Sequence, residues 1–180
     1  MLTLIVNEEI RLKPLALSDA RVIFQTIDTQ RNYLRRWLPF IDHTRHVHDT
    51  ENFINAIYAT PPDIRERVFC IYYKQNFAGL IGLKSIEQTN KKSEIGYWLS
   101  ESFQKKGIIT LSVKTLIDYA FQQLNLNRIQ IKCAVGNHES KQIPQRLGFA
   151  FEGIEREGEL LSDNLFTDLE VYSILKKDLG

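Results

Sequence analysis

Surplus charge is the first thing missing from this sequence. Lys and Arg number 23 against 22 Asp and Glu, a formal net charge of +1. No global field therefore draws the chain to nucleic acid, an anionic membrane or an acidic partner, and any charge-driven recognition is local. Cysteine is scarce: Cys70 and Cys133 lie far apart, each inside an apolar run. That placement predicts two buried free thiols rather than a disulfide and suits a reducing compartment. Long hydrophobic runs are lacking too. The opening MLTLIVNEEIRLK has no cationic leader and too short an apolar run for a signal peptide, and no later stretch approaches the length of a membrane span. A soluble, cytoplasmic protein with no membrane partner is the expectation. Repeats, low-complexity tracts and linkers are also missing, so residues 1–180 are read as a single domain.

What is present is the composition of an ordinary globular chain, 43% hydrophobic and 25% charged, enough to bury a core without staples. IRLKP, residues 10–14, reads as a strand. LSDARVIFQTID reads as a helix capped by Ser18, with Ala20, Ile23, Phe24 and Ile27 on one stripe. RNYLRRWLPFIDHTRHVH is the least regular segment, and a second helix is expected from Asp49 or Thr50 to Tyr58, stopping before Pro61 and Pro62. RVFCIYY, FAGLIGLKSIE and SEIGYWLS follow at short spacing, the mark of an antiparallel meander. Next comes a helix with Ile109, Val113, Leu116, Ile117, Ala120, Phe121 and Leu124 on one face. RIQIKCAV alternates as a strand, a short helix spans about 139–147 with Gly148 past its end, and two strands lie within AFEGIEREGELL and LFTDLEVYSILK. The alternation makes this an α/β protein.

GLIGLKS, residues 79–85, resembles part of a nucleotide-binding P-loop. That motif needs glycine directly before the lysine, and Leu83 precedes Lys84 here. Glycines that let neighbouring strands approach closely are the better reading.

Two strand-to-helix joints carry more. In ESFQKKGIIT two lysines and a glycine stand where a strand hands over to a helix. A solvated turn would explain them. So would a phosphate site, because the first turn of a helix offers unpaired N–H groups and the positive end of its dipole. In VGNHESKQIPQRLGF the second joint places two cap-type residues, Asn137 and Ser140, near a helix start. If their strands are neighbours, both joints face one extended ligand.

Gln104-Lys105-Lys106-Gly107, residues 137 to 140, Leu147-Gly148-Phe149 and Glu152-Gly153, taken in order, resemble the GNAT family of N-acetyltransferases. SEIGYWLSESFQKKGIIT and NLFTDLEVYSILK resemble its RimL-like branch, which acetylates the N-termini of ribosomal proteins; the likeness runs from about residue 7 to 177. The resemblance implies the GNAT fold: a mixed, mostly antiparallel central sheet flanked by helices, with acetyl-CoA bound where two neighbouring strands splay apart. It places Trp98, Leu99, Gln104, Lys105, Lys106, Gly107, Ile108, Ile109, Thr110 and Asn137 against the cofactor. Backbone N–H groups of the loop would surround the pyrophosphate, and Gly107 would let the backbone come close to the anion. Many family members carry Gly or Ala where this chain has Ile109, a departure that leaves the amide available. The Lys105 and Lys106 side chains either reach phosphate oxygens or are merely solvated.

Acetyl transfer needs a neutral amine placed against a thioester. An N-terminal amine of pKa near 8 is roughly a tenth neutral at pH 7, whereas a lysine is neutral only about once in 2,500. By the resemblance Glu159 is the carboxylate that drains the amine's proton through water, although EREGEL also offers Glu155 and Glu157 and composition alone does not choose. Ser140 is the matching candidate to donate to the departing sulfur, or else it is a simple helix cap. The tyrosine many GNAT enzymes use as acid falls at position 144, which is Pro144 here; that loss favours the RimL-like mechanism.

By the resemblance the acceptor side is lined by RNYLRRWLPFIDH, where Arg35, Trp37 and Phe40 are the candidate substrate contacts, beside Arg31, Arg36 and Tyr33. Aromatics with arginine also suit RNA, but no basic balance supports a nucleic-acid partner. His43, His46 and His48 with Asp42 and Asp49 fit no common zinc spacing, so no metal is expected. The expected function is acetyl transfer to a primary amine, foremost the N-terminal amine of a protein, ribosomal proteins included. A small amine such as a polyamine or aminoglycoside, or a module that holds coenzyme A without turnover, stands as the alternative. Related enzymes often pair through their sheets, and a homodimer stays open without a legible interface residue.

Overall fold

The computed structural model describes residues 2–179. One eight-stranded sheet runs through it, built from β1 (Leu4–Ile5), β2 (Ile10–Pro14), β3 (Arg67–Tyr73), β4 (Asn76–Glu87), β5 (Lys92–Leu99), β6 (Arg128–Ala134), β7 (Ala150–Leu161) and β8 (Leu165–Leu175). The spatial order is β1-β2-β3-β4-β5-β6-β8-β7. Every neighbouring pair is antiparallel except β5 and β6. The helices are α1 (Ala20–Asp28), α2 (Arg31–Leu34), α3 (Val47–Ala59), α4 (Ile108–Gln122) and α5 (His138–Arg146).

Period-two alternation sorts the central strands between two cores. In β3, Phe69 and Ile71 join the cluster under α4 and α5, while Val68 and Cys70 face α1, α2 and α3. A strand covered on both faces reads as an unbroken apolar run, which is why RVFCIYY is legible as a strand. Each large side chain buried this way contributes about 1.5–3 kcal/mol. The two glycines of GLIGLKS lie inside β4. A Cβ on Gly79 would stand 2.1 Å from the Trp98 carbonyl oxygen, and one on Gly82 would stand 3.0 Å from that of Arg67. They are close-approach glycines within a continuous strand.

Three local expectations need correction. Ser18 caps nothing. A 3-10 turn over Leu17–Asp19 leads into α1, and the buried Asp19 carboxylate accepts from the Ala16 amide at 2.9 Å and from Lys13 Nζ at 2.8 Å. The Asp19 side chain makes no bond to an α1 amide; it fastens the chain entering the turn instead. Helix α3 begins at Val47, two or three residues before the expected start at Asp49 or Thr50, because the Asp49 carboxylate takes the His46 amide at 2.8 Å. The irregular segment contains α2 and a 3-10 turn over Pro39–Asp42. No helix among the described residues is long and apolar enough to cross a membrane.

Candidate acetyl-transfer site

The only parallel contact in the sheet is also its shortest among the central strands. β5 and β6 pair through Lys92–Arg128, Ser93–Ile129 and Glu94–Gln130 and no further. Past Glu94 the strands diverge. β5 stays bonded to β4 as far as Leu99, and β6 stays bonded to β8 as far as Ala134, so the edges facing the gap have no strand partner there among the described residues. An amide-bearing ligand laid into such a gap can pair as an added strand. Leu99 lines the α4 side of β5, and Trp98, 8% exposed, packs edge-on against Phe77 on the opposite side.

Both joints stand at the open end. After β5 a 3-10 turn over Glu101–Phe103 leads to Gln104, then to Lys105 at φ +60° and Gly107 at φ +71°, and α4 starts at Ile108. The first amide of this stretch to donate into the helix is Leu111, to the Gly107 carbonyl. The amides of Ile108, Ile109 and Thr110 are first-turn donors with no intrahelical acceptor. Those of Lys105, Lys106 and Gly107 likewise meet no acceptor among the described residues. Left-handed residues interleaved with right-handed ones turn successive N–H groups to one side, making an anion-binding concavity. A Cβ on Gly107 would meet nothing within 4 Å, so the need for glycine there is conformational. The Lys106 ammonium lies 5.4 Å over the rings of both Tyr73 and Phe103. Gln104 sends its side-chain amide to the Tyr33 hydroxyl at 2.5 Å.

The second joint is closed. Asn137 caps α5, accepting from the Ser140 amide at 3.2 Å. With that role taken by Asn137, the Ser140 hydroxyl is turned to Tyr97, whose phenol oxygen lies 3.2 Å from Ser140 Oγ and donates to the Ser140 carbonyl at 3.0 Å. Burial pushes the Tyr97 hydroxyl well above its ordinary pKa. Burial also pushes Cys133 up to about 11, with Glu170 adding and the Ser140 hydroxyl opposing; both cysteines are buried free thiols. Tyr97 is a residue that sequence reasoning missed. Its signal was a polar atom on the inward face Ile95–Tyr97–Leu99 of an otherwise apolar strand. Pro144 is buried within α5.

Glu159 sits on β7 just beyond a break in register, where Glu155 faces Leu169 but Glu159 faces Thr167. The break is built by Glu157 at φ +50°, whose amide donates to the Asp168 carboxylate at 2.8 Å, and by Gly158, where a Cβ would lie 3.0 Å from the Leu169 side chain. The Glu159 carboxylate is half-buried and accepts no hydrogen bond from a described residue. Desolvation raises its pKa; Lys84 and Lys132 oppose this and Glu94 adds to it. The flanking cations are themselves committed, Lys84 to Glu94 at 2.8 Å and Lys132 to Glu155 at 2.6 Å. Of the three glutamates in EREGEL, Glu159 is the one whose carboxylate is partly desolvated.

The segment around α2 closes over this end of the sheet. Arg35 grips Asp42 through two bonds of 3.0 Å and reaches Asp163 at 3.3 Å, which holds Asp42 down to about 2. Its guanidinium ties the segment to the β7–β8 turn. Trp37 lies under the Arg36 guanidinium, and a Cβ on Gly136, at the second joint, would stand 3.8 Å from its ring. Phe40 is 42% exposed. Arg35, Arg36 and Asp163 line a cleft of about 350 Å³ with Asn32, Leu161 and Leu165. His46 stands at the start of α3 and His48 contacts Glu51 at 3.2 Å. No group of three His, Cys, Asp or Glu among the described residues is placed to hold a metal ion.

Residues 9–150 match the family described as the acetyltransferase (GNAT) domain. YdaF of Bacillus subtilis, whose name assigns it provisionally to ribosomal N-acetylation, is 37% identical over 99% of this chain and 97% of its own. The ribosomal-protein-serine acetyltransferase of Escherichia coli is 31% identical over 95% of each. Among solved structures, the ribosomal-protein acetyltransferase RimL in complex with coenzyme A superposes with a TM-score of 0.91 at 24% identity, covering 97% of this chain and 98% of that one. The splayed strands, the open amides of the first joint and the matched family agree: this chain belongs to the GNAT acetyltransferases.

Proposed function

We propose that the chain transfers acetyl to the N-terminal amine of a protein, with ribosomal proteins the first class to test. The observation that carries this reading is Glu159: a half-buried carboxylate with no hydrogen-bond partner and a raised pKa. Such a group is a modest base, adequate for an amine that is already roughly a tenth neutral at pH 7 and poorly matched to lysine. The similarity to an enzyme named for acetylating ribosomal-protein serine, over nearly the whole chain, points the same way.

In this reading the pyrophosphate of acetyl-CoA rests on the amides of residues 105 to 110, with Gly107 as the left-handed corner. The gap between β5 and β6 takes the pantetheine arm along Trp98 and Leu99. Trp37, Phe40 and the strut made by Arg35 wall the acceptor's approach. The neutral amine attacks the thioester carbonyl, forming the C–N bond, and its proton passes through water to Glu159. The tetrahedral intermediate then expels the thiolate, which breaks the C–S bond. Ser140, backed by the Tyr97 hydroxyl, supplies a proton to the sulfur and regains one from solvent. A thiol of pKa near 8.5 leaves fairly well unaided, so Ser140 contributes less than Glu159.

Mass spectrometry on one pooled reaction tests the proposal: acetyl-CoA, peptides with varied N-termini and internal lysines, polyamines and an aminoglycoside. Acetyl gained at a peptide N-terminus is the expected result. Acetyl on a polyamine or aminoglycoside alone would overturn the acceptor assignment while leaving the cosubstrate in place.

A further inference from the structure

Two side chains far from the reacting groups join the acceptor wall to the cofactor loop. Gln30, between α1 and α2, gives two of its three amide bonds to this join and the third to α1. Nε2 donates to the Thr26 carbonyl at 2.9 Å and to Ser100 Oγ at 3.0 Å, and Oε1 accepts from the Glu101 amide at 3.0 Å. One turn on, Tyr33 accepts from Gln104 at 2.5 Å. Its ring packs into the core beneath α1 and α3. Burial raises the phenol's pKa, and the charges of Glu101 and Glu139, one from each joint, raise it further. Its bond to Gln104 sets Tyr33 against the first joint. Ser100 is 6% exposed and fixed by its own amide to the Ala78 carbonyl at 2.8 Å, so the cofactor loop begins at a rigid point. Beyond it, Gln104 is the last residue before the two left-handed turns that aim the loop's amides.

We propose that Gln30 and Tyr33 are positioning residues that fasten the acceptor wall, residues 31 to 40, to the cofactor loop, so that cofactor and acceptor each tighten the other's binding. Gln104 is the shared part. When the loop amides close on a pyrophosphate, Gln104 is held in the place from which it reaches Tyr33. An ordered Tyr33 in turn holds α2, and Arg35 and Trp37 follow directly from its end. Coupling between two sites is reciprocal, so acceptor binding must steady the loop by the same factor. The inference rests on the acceptor-wall reading of residues 31 to 40.

Hydrogen exchange tests the fastening without an acceptor. The amides of Leu34, Arg35, Trp37 and Leu38 donate within the wall, to the carbonyls of Gln30, Arg31, Leu34 and Leu34 respectively. Saturating coenzyme A is expected to slow their exchange by about fivefold or more, the low end of typical coupling. In Tyr33→Phe, which keeps the buried ring, and in Gln30→Ala, that protection is expected to disappear while calorimetry shows coenzyme A still bound. With an N-terminal serine peptide at saturating acetyl-CoA, the variants should raise the peptide KM more than they lower kcat. No slowing in the wild-type chain, or equal slowing in both variants, would overturn the proposal. Protection that is lost in the variants with no change in peptide KM would leave the fastening standing and remove residues 31 to 40 from the acceptor site.

Discussion

The two strand-to-helix joints do opposite things with the same kind of element. The β5–α4 joint spends no side chain on its helix start: Gly107 is the cap, and no described residue accepts from the amides of 105 to 107. The β6–α5 joint closes its helix with Asn137 and presents the Ser140 hydroxyl instead. A helix start left open offers backbone charge to an anion. A capped one serves as a fixed platform for a side chain. In the proposed function the phosphates therefore fall to the first joint and the sulfur chemistry to the second.

Breaking the open joint should have the largest effect. Gly107→Glu brings a carboxylate against the pyrophosphate and is expected to weaken acetyl-CoA binding by about a hundredfold or more, read by calorimetric titration. Gly107→Ala sharpens the point, because a methyl meets open space and bears only the left-handed strain of about 1–2 kcal/mol.

Glu159→Gln comes next, with turnover at neutral pH lowered by about a hundredfold and acetyl-CoA affinity little changed. The same variant carries a pH signature. A carboxylate whose pKa is raised on folding binds more protons folded than unfolded, so it lowers stability as pH rises from the unfolded value through the folded one. Glu159→Gln is therefore expected to melt at or above the wild-type temperature at pH 7. That advantage should vanish below the ordinary carboxylate range. A melting temperature lowered equally at every pH would mean that Glu159 is held by a structural bond instead.

Opening the closed joint should matter less. Asn137→Ala is expected to destabilise the fold by about 1 kcal/mol through the lost cap, visible in a urea midpoint, with acetyl-CoA affinity unchanged. Ser140→Ala should slow turnover by only about fivefold, the worth of one hydrogen bond to the leaving sulfur. A larger drop confined to acceptors with poor nucleophilicity would promote Ser140 to an obligatory acid.

Much of this architecture is written locally. Strand β3 is recognisable because both its faces are buried, and α4 because its apolar stripe repeats for four turns. The Gln104–Gly107 stretch stands out because glycine and lysines interrupt two strong patterns. What stayed hidden depends on partners distant in the chain. β8 lies between β6 and β7, an order no local pattern encodes. Two-residue β1 has too few side chains to alternate. Asp19, not Ser18, fastens the entry to α1, through its bonds to Ala16 and Lys13. Tyr97 gains its interest from a hydroxyl on another element, and Gln30 and Tyr33 from groups roughly seventy positions away. Polar side chains at loops carry no periodicity, so their assignment waits for the fold.

The most direct test of the joint assignment compares 4′-phosphopantetheine with pantetheine, which share the arm and differ in the anion. The account predicts that wild-type chain binds the phosphorylated compound about tenfold tighter or more, that this advantage shrinks with added salt, and that it is lost in Gly107→Glu but kept in Asn137→Ala. Equal affinity for the two compounds in the wild-type chain, or an advantage lost in Asn137→Ala instead, would contradict it.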